Sequence, residues 1–275
     1  MQDDLELNTL KDIAVAAGDE ILAVYNQAAV IDVTVKADNS PLTEADQRAH
    51  RLIVDRLASH TPDLPILSEE SELKNWSERA TWQRYWLVDP LDGTKEFINR
   101  NGEFTVNIAL IEEGVARIGV VHVPVSGITY LGRPGSGAWK LSAAGELEAI
   151  KCAMIGRGSA VRVVASRSHR GELVDRLIAI IEQQLGQAEV VSMGSSLKIC
   201  LLAEGEADIY PRLALTSEWD TAAAHAVLSA AGGEVYDTGF NVLRYNQKAE
   251  LLNPFFIALA DTGFDWQALL TPALD

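Results

Sequence analysis

The stretch Trp86-Leu87-Val88-Asp89-Pro90-Leu91-Asp92-Gly93-Thr94-Lys95-Glu96-Phe97 runs an apolar strand directly into an acidic turn. Pro90 presets φ for the turn, and Gly93 lets the backbone approach an anion without a Cβ clash. Asp89 and Asp92 supply the hard oxygen ligands that Mg²⁺ prefers, usually one or two carboxylates completed by waters and phosphate oxygens. Thr94 adds a hydroxyl and an amide at the same point. Read alone, Asp-Pro-x-Asp-Gly is an ordinary turn, since all three residue types favour turns. The buried-looking strand before it, and acids elsewhere in the chain, turn the reading towards a phosphate-cleaving metal site.

Upstream, Leu10, Ile13, Ala14, Ala17, Ile21 and Leu22 recur at helical spacing and predict an amphipathic first helix. A turn-rich stretch, Lys36-Ala37-Asp38-Asn39-Ser40-Pro41, leads to a second helix from about Thr43, where Thr43-Glu44-Ala45-Asp46 reads as a capping box. Pro65 to Leu67 is a short strand ending at Ser68-Glu69-Glu70. Downstream, Phe104 to Ile111 and Val115 to Val123 predict a hairpin, and Gly127 to Leu131 and Ala138 to Leu141 continue it as an antiparallel meander.

After about Gly158 strands and helices alternate: strands Val161 to Ala165, Glu189 to Ser192, Ala207 to Tyr210 and Glu234 to Tyr236, with helices Gly171 to Leu185, Ser196 to Ala203 and Glu218 to Ala231. That pattern predicts an α/β half with a mostly parallel sheet. The expected organisation is therefore α/β overall, with an α+β part over 1–157 that binds metal and phosphate. A second α/β part over 158–275 contributes one candidate metal ligand, Asp220. The apolar run from Leu251 to Ala260 is interrupted by Pro254 and reads as a buried strand, too short for a membrane span.

Composition narrows the partners. The 275 residues carry a net charge of −16 without a basic cluster, which argues against nucleic acid polymers and anionic membranes. A small anionic substrate is compatible if metal ions neutralise the site locally. Cys152 and Cys200 lack metal-ligand spacing, and two lone cysteines suggest a reducing compartment. The acidic start, Met1-Gln2-Asp3-Asp4, lacks the apolar core of a secretion signal. The expectation is a cytoplasmic protein with no integral membrane segment. No feature assigns an oligomeric state.

Each acid has an ordinary reading: Glu69 and Glu70 as solvated charges, Asp46 as a cap, Asp220 as a first-turn acid favoured by the helix dipole. One shared site makes sense of them together. One metal can bridge Glu69, Asp89 and the Leu91 carbonyl, and a second Asp89, Asp92 and Asp220. Two metals about 4 Å apart clamp the attacking and leaving oxygens of a phosphoryl transfer. The amides of Gly93 and Thr94 would meet the phosphate.

Asp89-Pro90-Leu91-Asp92-Gly93-Thr94, with an upstream Glu-Glu and a downstream Trp219-Asp220, resembles the inositol monophosphatase superfamily of Mg²⁺-dependent, lithium-sensitive phosphomonoesterases. Lys36 to Pro41, Trp82 to Phe97, Arg100 to Ile111 and Gly194 to Arg212 resemble its 3′(2′),5′-bisphosphate nucleotidase branch more narrowly, as does Lys95-Glu96-Phe97 after the Gly-Thr pair. The resemblance implies the layered α-β-α-β-α sandwich of the sugar phosphatases. It implies two or three Mg²⁺ ions on Glu69, Asp89, the Leu91 carbonyl, Asp92 and Asp220. Asp46 and Thr94 would orient or deprotonate the attacking water, with Glu69 as another proton acceptor. Gly93, Thr94, His169, Ser195, Lys198 and Arg212 would contact a small phosphonucleotide. The implied reaction converts adenosine 3′,5′-bisphosphate to AMP and phosphate, with 3′-phosphoadenylyl sulfate as a second substrate, in support of sulfate assimilation. Members of that branch also suggest peripheral association with the inner membrane face. Two alternatives stand beside it: a broader inositol or sugar phosphatase, and a non-catalytic phosphonucleotide sensor.

Overall fold

Alternation of buried side chains along single strands shows how the layers form. In the strand Arg84–Asp92, Trp86 and Val88 enter one core while Tyr85 and Leu87 enter another. In Phe256–Leu259, Phe256 and Ala258 face one core and Ile257 and Leu259 a third. Successive strand side chains point to opposite faces, so sheets covered on both sides read as continuous apolar runs. The structure, a computed structural model, describes residues 2–27, 33–35, 41–72, 74–156, 158, 160–165 and 171–274.

The first part contains α1 (Gln2–Gln27), β1 (Val33–Val35), β2 (Pro41–Thr43), α2 (Glu44–His60), β3 (Ile66–Ser68), α3 (Trp76–Arg79), β4 (Arg84–Asp92) and α4 (Thr94–Ile98). It continues with β5 (Thr105–Glu112), β6 (Val115–Val123), β7 (Ile128–Arg133), β8 (Gly137–Leu141) and β9 (Leu147–Ile150). Strands β3 to β9 form one seven-stranded sheet in sequence order, antiparallel except for the β3–β4 pair. This is the expected meander, extended by β9.

The second part contains β10 (Val161–Val164), α5 (Glu172–Leu185), β11 (Ala188–Val191), α6 (Leu197–Ala203), β12 (Ile209–Arg212) and α7 (Glu218–Ala231). It ends with β13 (Glu234–Asp237), β14 (Phe256–Leu259) and α8 (Trp266–Leu274). Its five-stranded sheet has the order β11-β10-β12-β14-β13. The expectation of a mostly parallel sheet is corrected here. Strand β10 runs parallel to β11 and β12, but β14 is antiparallel to both its neighbours. Parallel neighbours need a crossover connection. Strand β14 instead arrives from β13 through an irregular segment and inserts between β12 and β13.

One core joins α1 and α2 to the seven-stranded sheet, and another joins α6 and α7 to both sheets. A third joins α5 and α8 to the far side of the five-stranded sheet. The order is α-β-α-β-α, as the resemblance implies. Helix α7 lies at the centre, which explains why it is rich in alanine all round. It touches the first sheet backbone to backbone: a Cβ on Gly119 would come within 2.0 Å of the Ala223 carbonyl oxygen, and one on Gly132 within 2.3 Å of the Val227 Cα.

Candidate active site

Strand β4 ends at the seam between the two sheets. Asp89 is buried there opposite Asn107 in the β4–β5 ladder, and its Oδ1 accepts the Leu91 amide at 3.1 Å. Asp92 closes the strand opposite Thr105, after an irregularity between Asp89 and Asp92. Gly93 then takes φ +93°, the left-handed region that a side chain disfavours, and α4 begins at Thr94. The acidic turn is thus a strand end passing straight into a short helix.

Asp220 arrives from the other part of the chain. It occupies the third position of α7, where its Oδ2 accepts the Ser217 amide at 2.8 Å in a capping box. One carboxylate oxygen each of Asp89, Asp92 and Asp220 lie within 4.8 Å of one another. These three form no ion pair with lysine or arginine among the described residues. Burial, reinforced by the neighbouring acids (Glu69 foremost), holds the Asp89 carboxyl well above its ordinary range. Burial and then Asp92 do the same for Asp220. Repelling carboxylates with hard oxygens are the donor set of a divalent cation, and the residues present fit one.

Glu69 follows β3, and its amide bonds the Val88 carbonyl at 3.1 Å, beside the strand that carries Asp89. Its side chain acts on Asp89 electrostatically, raising that carboxyl, without joining the tightest group of three. Asp46 is buried at the third position of α2. Its Oδ2 accepts the Thr43 amide at 2.8 Å and the Thr43 hydroxyl at 2.6 Å, while Oδ1 lies 3.4 Å from the Thr94 hydroxyl. The capping box read from the sequence is therefore present. Its second oxygen is turned towards Thr94, which also lies 3.4 Å from the Leu91 carbonyl. Burial raises the Asp46 carboxyl, against the opposing bonds from Thr43.

A cavity of about 490 Å³ opens beside the acids and is lined by Asp92, Gly93, Asp220, Ser195, Lys198 and Arg212 among others. The Lys198 ammonium donates to the Ser195 carbonyl at 3.1 Å and lies 5.9 Å from the Tyr210 ring centre. Burial lowers its pKa, against the attraction of Asp92. It is not the solvated helix charge that its position in α6 would suggest. Arg212 donates to the Leu215 carbonyl at 3.2 Å, but its buried Nε has no partner. The buried Ser195 hydroxyl also has none, and Ser195 holds φ +43°. His169 and residues 36–40 lie outside the described residues.

Two residues that local pattern did not single out meet the acids. Ser196 donates its amide and its hydroxyl towards Asp92 Oδ2, each at 2.6 Å, and accepts from Asn107 Nδ2 at 2.7 Å. The only sequence signal was their place inside two stretches that carry the resemblance.

The sequence pattern of the inositol monophosphatase family matches residues 3–260. The 3′(2′),5′-bisphosphate nucleotidase CysQ of Escherichia coli is 50% identical over 251 residues, covering 91% of this chain and 98% of that protein. The protein of the same name from Salmonella typhimurium is 47% identical over 250 residues, covering 91% and 98%. Among solved structures, CysQ from Bacteroides thetaiotaomicron superposes with a TM-score of 0.80 at 45% identity. It covers 92% of this chain and 97% of that one.

Proposed function

The chain belongs to the inositol monophosphatase family, and we propose that it hydrolyses the 3′-phosphate of adenosine 3′,5′-bisphosphate, releasing AMP and phosphate. It is a phosphoric monoester hydrolase of the 3′(2′),5′-bisphosphate nucleotidase type. The observation that carries this reading is the convergence of Asp89, Asp92 and Asp220 beside a cavity that Asp92 and Asp220 share with Lys198 and Arg212.

Glu69, Asp89, the Leu91 carbonyl, Asp92 and Asp220 are the groups to hold two or three Mg²⁺ ions. Bound there, Mg²⁺ supplies Lewis-acid stabilisation of the charge that develops on the transferring phosphoryl group and the leaving 3′ oxygen. The protein's own task is proton handling and positioning. Thr94 orients the attacking water and passes its proton to Asp46 Oδ1, while Thr43 holds the other Asp46 oxygen still. Glu69 is the alternative acceptor beside Asp89. The 3.4 Å contact between Thr94 and Asp46 tightens when substrate is bound. The amides of Gly93 and Thr94 receive the scissile phosphate. Ser195, Lys198 and Arg212, with His169, take the remainder of the nucleotide, including its second phosphate. The free Nε of Arg212 and the free hydroxyl of Ser195 support that role. Catalysis comes from position and electrostatics, with no covalent phosphoenzyme.

In the same reading the part over 1–157 supplies most metal ligands and the part over 158–275 supplies Asp220 and the nucleotide contacts. 3′-Phosphoadenylyl sulfate is a second substrate, giving adenylyl sulfate, and the role is to clear these compounds during sulfate assimilation. Lithium inhibits. The protein acts in the cytoplasm; no helix among the described residues is long and apolar enough to cross a membrane.

Incubation with adenosine 3′,5′-bisphosphate, with Mg²⁺ and with a chelator, tests the reading. Mg²⁺-dependent release of phosphate with 5′-AMP as the nucleotide product is expected. Product that has lost the 5′-phosphate, or no turnover with retained nucleotide binding, would overturn it; the second outcome is that of a sensor.

A further inference from the structure

We propose that Ser196, held by Asn107, is a positioning residue that fixes Asp92 and the first turn of α7 at the spacing a divalent cation needs. The inference rests on the cation-site reading above and assigns a role to two residues that hold no cation themselves.

Ser196 is buried at the start of α6 and is the point where three elements from distant parts of the chain are tied together. Towards β4, its amide and its hydroxyl both approach Asp92 Oδ2 at 2.6 Å. Towards α7, the hydroxyl lies 2.8 Å from the Asp220 carbonyl oxygen. Towards β5, it accepts from Asn107 Nδ2 at 2.7 Å, and Asn107 is the ladder partner of Asp89. A hydroxyl has one proton and two acceptor sites. With Asn107 filling an acceptor site, the proton goes to Asp92 or to the Asp220 carbonyl, and the amide keeps hold of Asp92 in either case.

Asp92 needs such a hold. It stands within 4.8 Å of two other carboxylates, and repulsion would swing it towards the open cavity. The Ser196 amide on Oδ2, joined by the hydroxyl when its proton points that way, fixes the rotamer and leaves the other oxygen for a cation. The turn that delivers Ser196 is itself pinned. Ser195 holds a left-handed φ, and a Cβ on Gly194 would fall 2.9 Å from the Glu103 Cβ. Groups that orient metal ligands without touching the metal are typically worth about 10–100-fold in metal affinity.

The test is Mn²⁺ binding to the full-length, metal-stripped protein, read by electron paramagnetic resonance of free Mn²⁺, with unfolding of each variant followed in chelator. Ser196→Ala should fold and bind Mn²⁺ about 10-fold more weakly or worse. Asn107→Ala should show a smaller loss in the same direction. The double variant should lose less than the product of the two, because both act through one hydroxyl. Wild-type Mn²⁺ affinity in folded Ser196→Ala would overturn the proposal. If that variant does not fold, wild-type affinity in Asn107→Ala overturns it instead. Failure of the unmodified protein to bind Mn²⁺ would defeat the cation-site reading itself and the proposal with it.

Discussion

The two sheets meet beside one cavity, the first bringing mostly acids and the second mostly cations, with Lys95 and Asp220 as the exceptions. The seven-stranded sheet contributes Asp89 and Asp92 from the end of a single strand, with Asp46 and Glu69 beside them. The second part contributes Lys198 from α6, Arg212 from β12 and one acid, Asp220, from the start of α7. The first set suits a cation and a phosphoryl group and is indifferent to what the phosphate is attached to. The second set suits a further anionic group on the substrate. In this division, on the proposed reading, the seven-stranded sheet would carry most of the ester chemistry, with Asp220 added from α7, and the mixed sheet would choose the ester. Helix α7 couples them, because it is packed through Gly119 and Gly132 onto the sheet that holds the other acids.

Substitutions can break this division at graded points. The largest effect on activity belongs to Asp92→Asn, which removes a charge from the group of three. Phosphate release should fall by about 10³-fold or more while the chain stays folded, as steady-state assays and circular dichroism would check. Near-normal turnover at moderate Mg²⁺ would contradict the site. Thr94→Ala should lower kcat by about 10²-fold or more, with KM little changed, as expected for a group that positions a proton transfer. A change confined to KM would make Thr94 a binding group.

On the selecting side, Lys198→Met should raise KM for adenosine 3′,5′-bisphosphate by about 10-fold, the scale of one hydrogen bond to a charged group. It should scarcely alter turnover of adenosine 3′-phosphate, which lacks the second phosphate. Equal effects on both substrates would remove Lys198 from the selecting wall.

The smallest effect on activity is expected at His122, which does not line the cavity; its ring packs against Gly18 of α1 and meets the Thr129 hydroxyl at 2.9 Å. Burial pulls its pKa down to about 4 from 6.5. The folded protein therefore keeps a neutral ring while the unfolded chain takes up a proton below pH 6.5. Stability from this source is complete above pH 6.5 and is lost as the pH falls through about 4, by about 3 kcal/mol. His122→Gln should flatten that part of the stability–pH curve, measured by urea unfolding, and leave kcat at neutral pH unchanged.

Both the meander and the acids of β4 were legible in sequence, because strand period, turn chemistry and metal ligands coincide within a dozen residues. Asp46 was legible for two reasons at once, since capping uses one of its oxygens and Thr94 faces the other. The insertion of β14 between β12 and β13 was not. Its strand was expected from Leu251 onward, but Leu251 and Asn253 instead bond Glu218 and Thr216 beside the cavity, leaving only Phe256–Leu259 for the sheet. Ser196 and Asn107 escaped because their partners lie 89 and 104 residues away, beyond the reach of any local pattern. The half-buried setting of Lys198 escaped for a similar reason, since the aromatic ring and carboxylates around it come from other elements.

The most direct test of the division between the two sheets is the ratio of kcat/KM for adenosine 3′,5′-bisphosphate to that for inositol 1-phosphate at saturating Mg²⁺. The account expects the bisphosphate to be favoured by about 10²-fold or more, since charge-assisted bonds to its second phosphate have no counterpart in the inositol ester. An equal or reversed preference would contradict it.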